Sequence, residues 1–205
     1  MRVVQNIVNN TIKDVIIKES KELEHISNTL NYQKVTELCD LLVKCKGNIF
    51  ITGCGTSAMA AKKAVHTLNV INQKAFYLNP SDAVHGELGA VSANDIVIFI
   101  SKGGNTKELT SFIKNVKDKQ AYMVAVTENE SSVIASNSDL IIKVKVKAEA
   151  DQFNMLATSS TLAVISLFDG IAVTLINKEK FNKKEFLGNH PSGAVGERLK
   201  EENMK

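Results

Sequence analysis

The run Asp95-Ile-Val-Ile-Phe-Ile100 would place apolar side chains on both faces of any strand it forms. A strand with one face in water alternates apolar and polar residues. One buried on both faces does not. Asn48–Thr52 and Ala121–Val126 have the same character, and Lys74–Leu78 and Asp139–Val146 read as further strands, the last with partial alternation. Between these runs the apolar period becomes helical over Thr56–Val70, Asn105–Val116 and Leu156–Asn177, with short helices expected from Pro80 and over Ser131–Ala135. Strands that alternate with helices and are apolar on both faces build a mainly parallel sheet covered on two sides. The expectation is therefore α/β: a three-layer sandwich with a five-stranded parallel sheet flanked by helices, plus an N-terminal helical segment over Val3–Lys46. In that segment Ile7, Ile12, Val15, Ile16 and Leu23 recur at helical spacing, and a second helix follows Asn31-Tyr32.

A chain of 205 residues buries roughly 70% of its unfolded surface, enough for one core. No fixed-period repeat and no glycine- and serine-rich linker divides it. Residues 1–46 are expected to pack as helices on the same domain as 47–205. The net charge of +3 is spread along the chain, which argues against a nucleic-acid footprint. Leu156–Asn177 is interrupted by Thr158-Ser159-Ser160 and Asp169, so it reads as a core helix and not a membrane span. With no secretory pattern at Met1–Asn10 and three scattered cysteines, the expectation is a cytoplasmic protein without disulfides, metal or cofactor. Only two arginines occur, Arg2 and Arg198, both near the ends. A phosphate held at mid-chain would have to rely on hydroxyls, main-chain amides, helix N-termini and lysine.

In a parallel sheet, ligands bind outside the carboxyl ends of the strands. The first strand runs into Gly53-Cys54-Gly55-Thr56-Ser57, and a helix follows at once. The third runs into Ser101-Lys102-Gly103-Gly104-Asn105-Thr106-Lys107-Glu108, the same construction. Either loop alone reads as a glycine turn with a hydroxyl cap. Together they read as a cradle for one phosphate, built from Gly55, Thr56, Ser57, Ser101, Gly104, Asn105 and Thr106, with Lys102 available to add charge. Thr158, Ser159 and Ser160 open the long apolar helix and form a third polar wall. Cys54 reads as a small side chain filling space.

Glu108 follows the second loop, and Glu149 stands between the last strand and the Thr-Ser-Ser triplet. His85 lies in Ala83-Val84-His85-Gly86-Glu87, and His190 in Gly188-Asn189-His190-Pro191-Ser192-Gly193. Each histidine reads either as a structural residue or as an acid–base group. Two carboxylates and two imidazoles beside a phosphate cradle suit proton transfer next to the carbonyl of a phosphorylated small molecule.

These motifs resemble those of the sugar isomerase (SIS) domain family. The resemblance rests on Gly53–Ser57, Ser101–Glu108 and Thr158–Ser160. Within that family the chain is most similar to the arabinose-5-phosphate isomerases, through Pro80–Gly89, Lys147–Ala150 and His190–Gly196. It extends from about Gly47 to Leu199. The resemblance implies a homotetramer with sites at subunit contacts, where a histidine can reach a neighbouring chain's site. It also implies metal-independent interconversion of D-arabinose 5-phosphate and D-ribulose 5-phosphate through an enediol, with Glu108, Glu149, His85 and His190 at the catalytic positions. Three features depart from the pattern. Thr56 stands where those isomerases have lysine, Gly103 replaces a serine, and the pair of CBS modules many of them carry has no counterpart here. Lys102 is expected to supply the missing charge. A sugar-phosphate sensor without catalysis and an isomerase of a hexulose phosphate are the alternative readings.

Overall fold

The computed structural model describes residues 2–203, with side chains over 8–202. Met1, the end of the expected Lys178–Lys205 tail (204–205) and the side chain of Ile7 lie outside the described residues. Two helices open the chain: α1 (Arg2–Thr29) and α2 (Tyr32–Lys44). They are separated where Asn31 leaves helical geometry and its side chain accepts the Lys34 N–H as an N-cap. The strands are β1 (Ile49–Gly53), β2 (Ala75–Tyr77), β3 (Ile96–Ile100), β4 (Tyr122–Thr127) and β5 (Leu140–Lys143). They form one sheet in the order β2-β1-β3-β4-β5, with every neighbouring pair parallel. All five residues of β1 and of β3 are buried, as their two-faced apolar sequence requires.

Helices cover both faces. One face packs against α1, α2, α3 (Thr56–Val70) and α8 (Ser159–Glu179), around Leu38, Leu42, Leu68, Phe168, Ile171 and Leu175. The other is covered by α4 (Pro80–Ala83), a 3-10 turn (Glu87–Ala90), α5 (Lys107–Thr110), α6 (Ile113–Asp118) and α7 (Val133–Ser136), around Phe50, Phe99, Leu109, Phe112 and Ile134. The chain ends in α9 (Lys183–Asn189) and α10 (Gly193–Asn203). α8 is long and apolar enough to cross a membrane by composition, but here it packs against α1, α2 and α3.

Most element ends fall within one or two residues of the sequence reading, and three elements differ by more. The helix expected over Asn105–Val116 forms as α5 and α6, broken at Ser111-Phe112. Phe112 leaves helical geometry at φ −116°, ψ 8° and buries its ring 5.4 Å from that of Phe99. Burying a phenylalanine is worth about 1.5–3 kcal/mol, more than the roughly 1 kcal/mol of one helical hydrogen bond. The strand expected over Asp139–Val146 ends at Lys143, because β4 ends at Thr127 and offers no ladder beyond it. The helix expected from Leu156 begins at Ser159. The amides of Phe153, Met155 and Leu156 donate to Asp151, which folds those residues into a separate turn.

The strand order reverses direction between β1 and β3, so their carboxyl ends open a crevice. Both glycine loops emerge there. Gly53 lets the chain turn back on α3, since a Cβ at this position would lie 2.9 Å from the Ser57 carbonyl.

Candidate active site

A cavity of about 70 Å³ lies at this edge, with Thr56, Ser57, Lys102, Glu128, Ser160 and Thr161 among its polar walls and Ile100, Val126, Val144 and Val164 at its base. The volume holds about two waters. It can take one end of a ligand, while the rest lies across its mouth.

Glu149 is 4% exposed and anchors the site. Its Oε1 accepts from Lys102 Nζ at 2.6 Å and from the Ser160 hydroxyl. Its Oε2 accepts from the Thr158 N–H at 2.9 Å, the Thr158 hydroxyl at 3.2 Å and the Ser160 N–H at 3.1 Å. Burial pushes its pKa up. The Lys102 ammonium, the Ser160 hydroxyl and the two amides outweigh that and hold it at about 2. A buried anion at the start of α8 is also favoured by the helix dipole.

Lys102 reaches this carboxylate because side chains alternate along the end of β3. Ile100 and Lys102 turn toward α8, whereas Ser101 turns the other way. The Lys102 carbonyl is pinned to the end of β4 by the Glu128 N–H at 3.0 Å and the Thr127 hydroxyl at 3.0 Å. That places Glu128 Oε1 4.0 Å from Lys102 Nζ. Burial above all raises the pKa of Glu128, with Lys102 opposing and Glu149 reinforcing the shift. Sequence reasoning missed Glu128 and Thr161. Glu128 follows a strand just as the chosen residues do, but without the glycines that marked the other two loops.

The structure brings Thr56, Ser57, Lys102, Glu149, Thr158 and Ser160 together at this edge. The remaining candidates are disposed differently. Ser101 is buried, and its hydroxyl bonds to Thr106 Oγ1 at 3.0 Å and accepts the Gly104 N–H at 3.1 Å. Asn105 uses its side-chain oxygen on the Val133 N–H of α7. The amides of Gly103, Asn105 and Thr106 have no acceptor among the described residues and remain available to an anion. Gly55, at φ 57°, supplies the turn into α3. Ser159 faces the interior, its hydroxyl buried without a partner among the described residues.

Glu108 is exposed on α5 and near enough to Cys54 to act on its thiol, which burial first and Glu108 second push up in pKa. Cys54 packs on the core beneath, in keeping with the space-filling reading. His85 is exposed in the turn after α4, and α4 packs against α5. His190 is elsewhere. Asn189 donates to the Val70 carbonyl and to Asn72 beyond the C-terminus of α3, so His190 lies at the opposite end of that helix from Thr56. The 15 residues of α3 put roughly 21 Å between those ends. Within one chain His190 does not meet the other candidates.

Comparison with known proteins finds matches over most of this chain. The SIS domain family matches residues 41–173. Arabinose 5-phosphate isomerase KdsD of Francisella tularensis is 32% identical over 194 residues, covering 94% of this chain and 59% of that protein. Arabinose 5-phosphate isomerase KpsF of Escherichia coli is 28% identical over 189 residues, covering 92% and 58% respectively. The chain thus spans under two thirds of the length of these curated relatives. Among solved structures, a Listeria monocytogenes protein proposed to be a sugar-phosphate isomerase superposes with a TM-score of 0.88 at 41% identity, covering 90% of this chain and 97% of that one. An E. coli protein in complex with arabinose 5-phosphate gives 0.87 at 28% identity, covering 91% and 98%.

Proposed function

The chain belongs to the SIS domain family, and we propose that it is an aldose–ketose isomerase of a phosphorylated sugar, with D-arabinose 5-phosphate and D-ribulose 5-phosphate as its pair. The observation that carries this reading is the Lys102–Glu149 pair at a cavity on the switch-point edge, between the two glycine loops. The relatives named for arabinose 5-phosphate isomerisation supply the substrate. In this reading the phosphate sits on hydroxyls and free amides of the loops 55–57 and 103–106. The sugar's carbonyl end points into the cavity, where Lys102 stabilises negative charge on oxygen as the enediolate forms. Lys102 thereby stands in for the lysine absent at Thr56. Glu149, saturated with donors, fixes Lys102 and the start of α8. Glu108 and His85 stand outside the cavity walls, exposed on and beside the packed pair α4 and α5, and in this reading serve ring opening. His190 serves from a second chain of a homotetramer. No step requires a metal.

A sensor without chemistry is the second reading, and one observation favours it. Glu149, the carboxylate bonded to Lys102, has no oxygen free to take a proton. Proton exchange in heavy water with EDTA separates the two. Loss of the C2–H signal of arabinose 5-phosphate with ketose formation is the expected result. Binding without exchange for every aldose and ketose phosphate tried would establish the sensor.

A further inference from the structure

An isomerase working at this edge needs a carboxylate or imidazole that faces the cavity and can gain a proton. Glu149 lacks a free oxygen, Glu108 stands outside the cavity walls, and His190 is at the far end of α3. Glu128 meets the requirement. It lines the cavity, its side chain is 18% exposed, and it stands beside the cation. Its Oε1 accepts the Val146 N–H at 3.4 Å and faces Lys102, while its Oε2 has no partner among the described residues. The apolar base of Ile100, Val126, Val144 and Val164 disfavours its charge and makes it a stronger base than a surface glutamate. Lys145 is the other cation acting on it, opposing that effect weakly.

We infer that Glu128 is a catalytic residue of this site, the carboxylate that takes the sugar's carbon-bound proton and returns it to the adjacent carbon. This rests on the isomerase reading above. The step balances as follows. The C2–H bond of the open-chain aldose breaks, and its proton goes to Glu128 Oε2. The electron pair forms the C1–C2 double bond as the carbonyl pair moves onto O1, opposite the Lys102 ammonium. The O2–H proton passes to O1. The Glu128 proton is then delivered to C1, giving the C2 ketone and regenerating the carboxylate. Two glutamates 4.0 Å or less from one lysine thus divide the work, Glu149 permanently ionised and Glu128 exchanging its proton.

The test is Glu128→Gln in the full chain, compared with the unaltered protein by C2–H exchange in heavy water and by steady-state kinetics on arabinose 5-phosphate. Glutamine keeps the acceptor for Val146 but cannot take the proton. The expected result is a loss of exchange and of kcat by about 100-fold or more, with KM within about twofold. If Glu128→Gln melts well below the parent, Glu128→Asp, which retains charge but withdraws the carboxyl by one methylene, carries the test, with a smaller loss of kcat expected. Exchange at the parental rate in a folded variant overturns the role of Glu128 and leaves the isomerase reading standing. Absence of exchange in the parent protein overturns both.

Discussion

Lys102 donates from its ammonium to Glu149 Oε1 at 2.6 Å, across 47 residues of sequence, and so ties the loop after β3 to the segment after β5. The pair is asymmetric. The carboxylate is buried, whereas the lysine side chain is 43% exposed. Removing the lysine leaves an anion with four donors, so the fold should survive its loss. Lys102→Ala is expected to lower unfolding stability by about 1 kcal/mol in urea titrations, the exposed partner contributing modestly. The same change should raise KM for the phosphorylated sugar about 10-fold or more, the value of a charged hydrogen bond at ~1.5–3 kcal/mol. An unchanged KM would remove Lys102 from substrate binding.

Glu149 also makes the fold sensitive to acid. Its pKa falls from an ordinary 4.5 to about 2 in the folded chain. A carboxyl with a depressed folded value contributes stability that is complete above its unfolded pKa. That contribution is lost as pH falls through the folded value, here between about 4.5 and 2. The shift corresponds to about 3 kcal/mol. Unfolding measured from pH 6 to 2 should show this loss in the parent and a flatter acid limb in Glu149→Gln. Parallel limbs would show that Glu149 is not so held.

Much of this was legible before any coordinates. Apolar strands such as Ile96–Ile100, with their glycine turns, dictate a parallel sheet and its ligand edge, and helix starts such as Asn31 and Thr56 are written in local chemistry. What was not legible depends on side-chain direction and distance. Nothing in Ser101-Lys102 states that one side chain turns inward and the next toward α8. Nothing in Thr127-Glu128 states that the glutamate lines the cavity. The break at Phe112 was hidden for the same reason, since it answers to Phe99 on another element.

The N-terminal helix grips the Glu149 segment from both sides. Lys18 Nζ donates to the Ala150 carbonyl at 3.0 Å, and Glu22 Oε2 accepts the Lys147 N–H at 2.7 Å. One helical turn separates the two side chains, so α1 acts as a brace for a buried charge. Lys18→Ala and Glu22→Ala, each of which removes its contact, are expected to lower kcat roughly 10-fold through misplacement. KM should stay within about twofold, and Lys18→Arg should restore most of the rate. A parental kcat in both variants would make the brace irrelevant to catalysis.

Gly104 is held at φ 69° with no room for a side chain, since a Cβ there would lie 2.0 Å from Ser132 Oγ and 2.4 Å from Ser132 Cβ. Gly104→Ala therefore combines left-handed strain with overpacking. It should cost about 2–4 kcal/mol in thermal or urea unfolding. Ser132→Gly removes both clashing atoms and should recover part of that loss in the double variant, although it gives up the cap on Ala135. Equal stability of the single and double variants would place the cost in the backbone alone.

The position of His190 sets the last expectation. Its backbone is fixed by the Phe186 carbonyl and by Gly196, which leaves no space for a Cβ against Pro191, and its Nδ1 is buried without a partner among the described residues. A histidine held this firmly beyond the far end of α3 cannot swing to Glu149 in its own chain. Beside Glu149, the turn carrying Phe153, Met155 and Leu156 leaves three large apolar side chains exposed, a surface suited to a second copy. If the site takes Glu149 from one chain and His190 from another, Glu149→Gln and His190→Ala should each be inactive alone. Random mixed oligomers of the two, formed by refolding together, would regain roughly a quarter of the parental sites. A site built within one chain can gain nothing from mixing, because every chain carries one defect. Recovered activity would thus report both the assembly and the route by which His190 reaches the sugar, and no recovery would confine the site to a single chain without it.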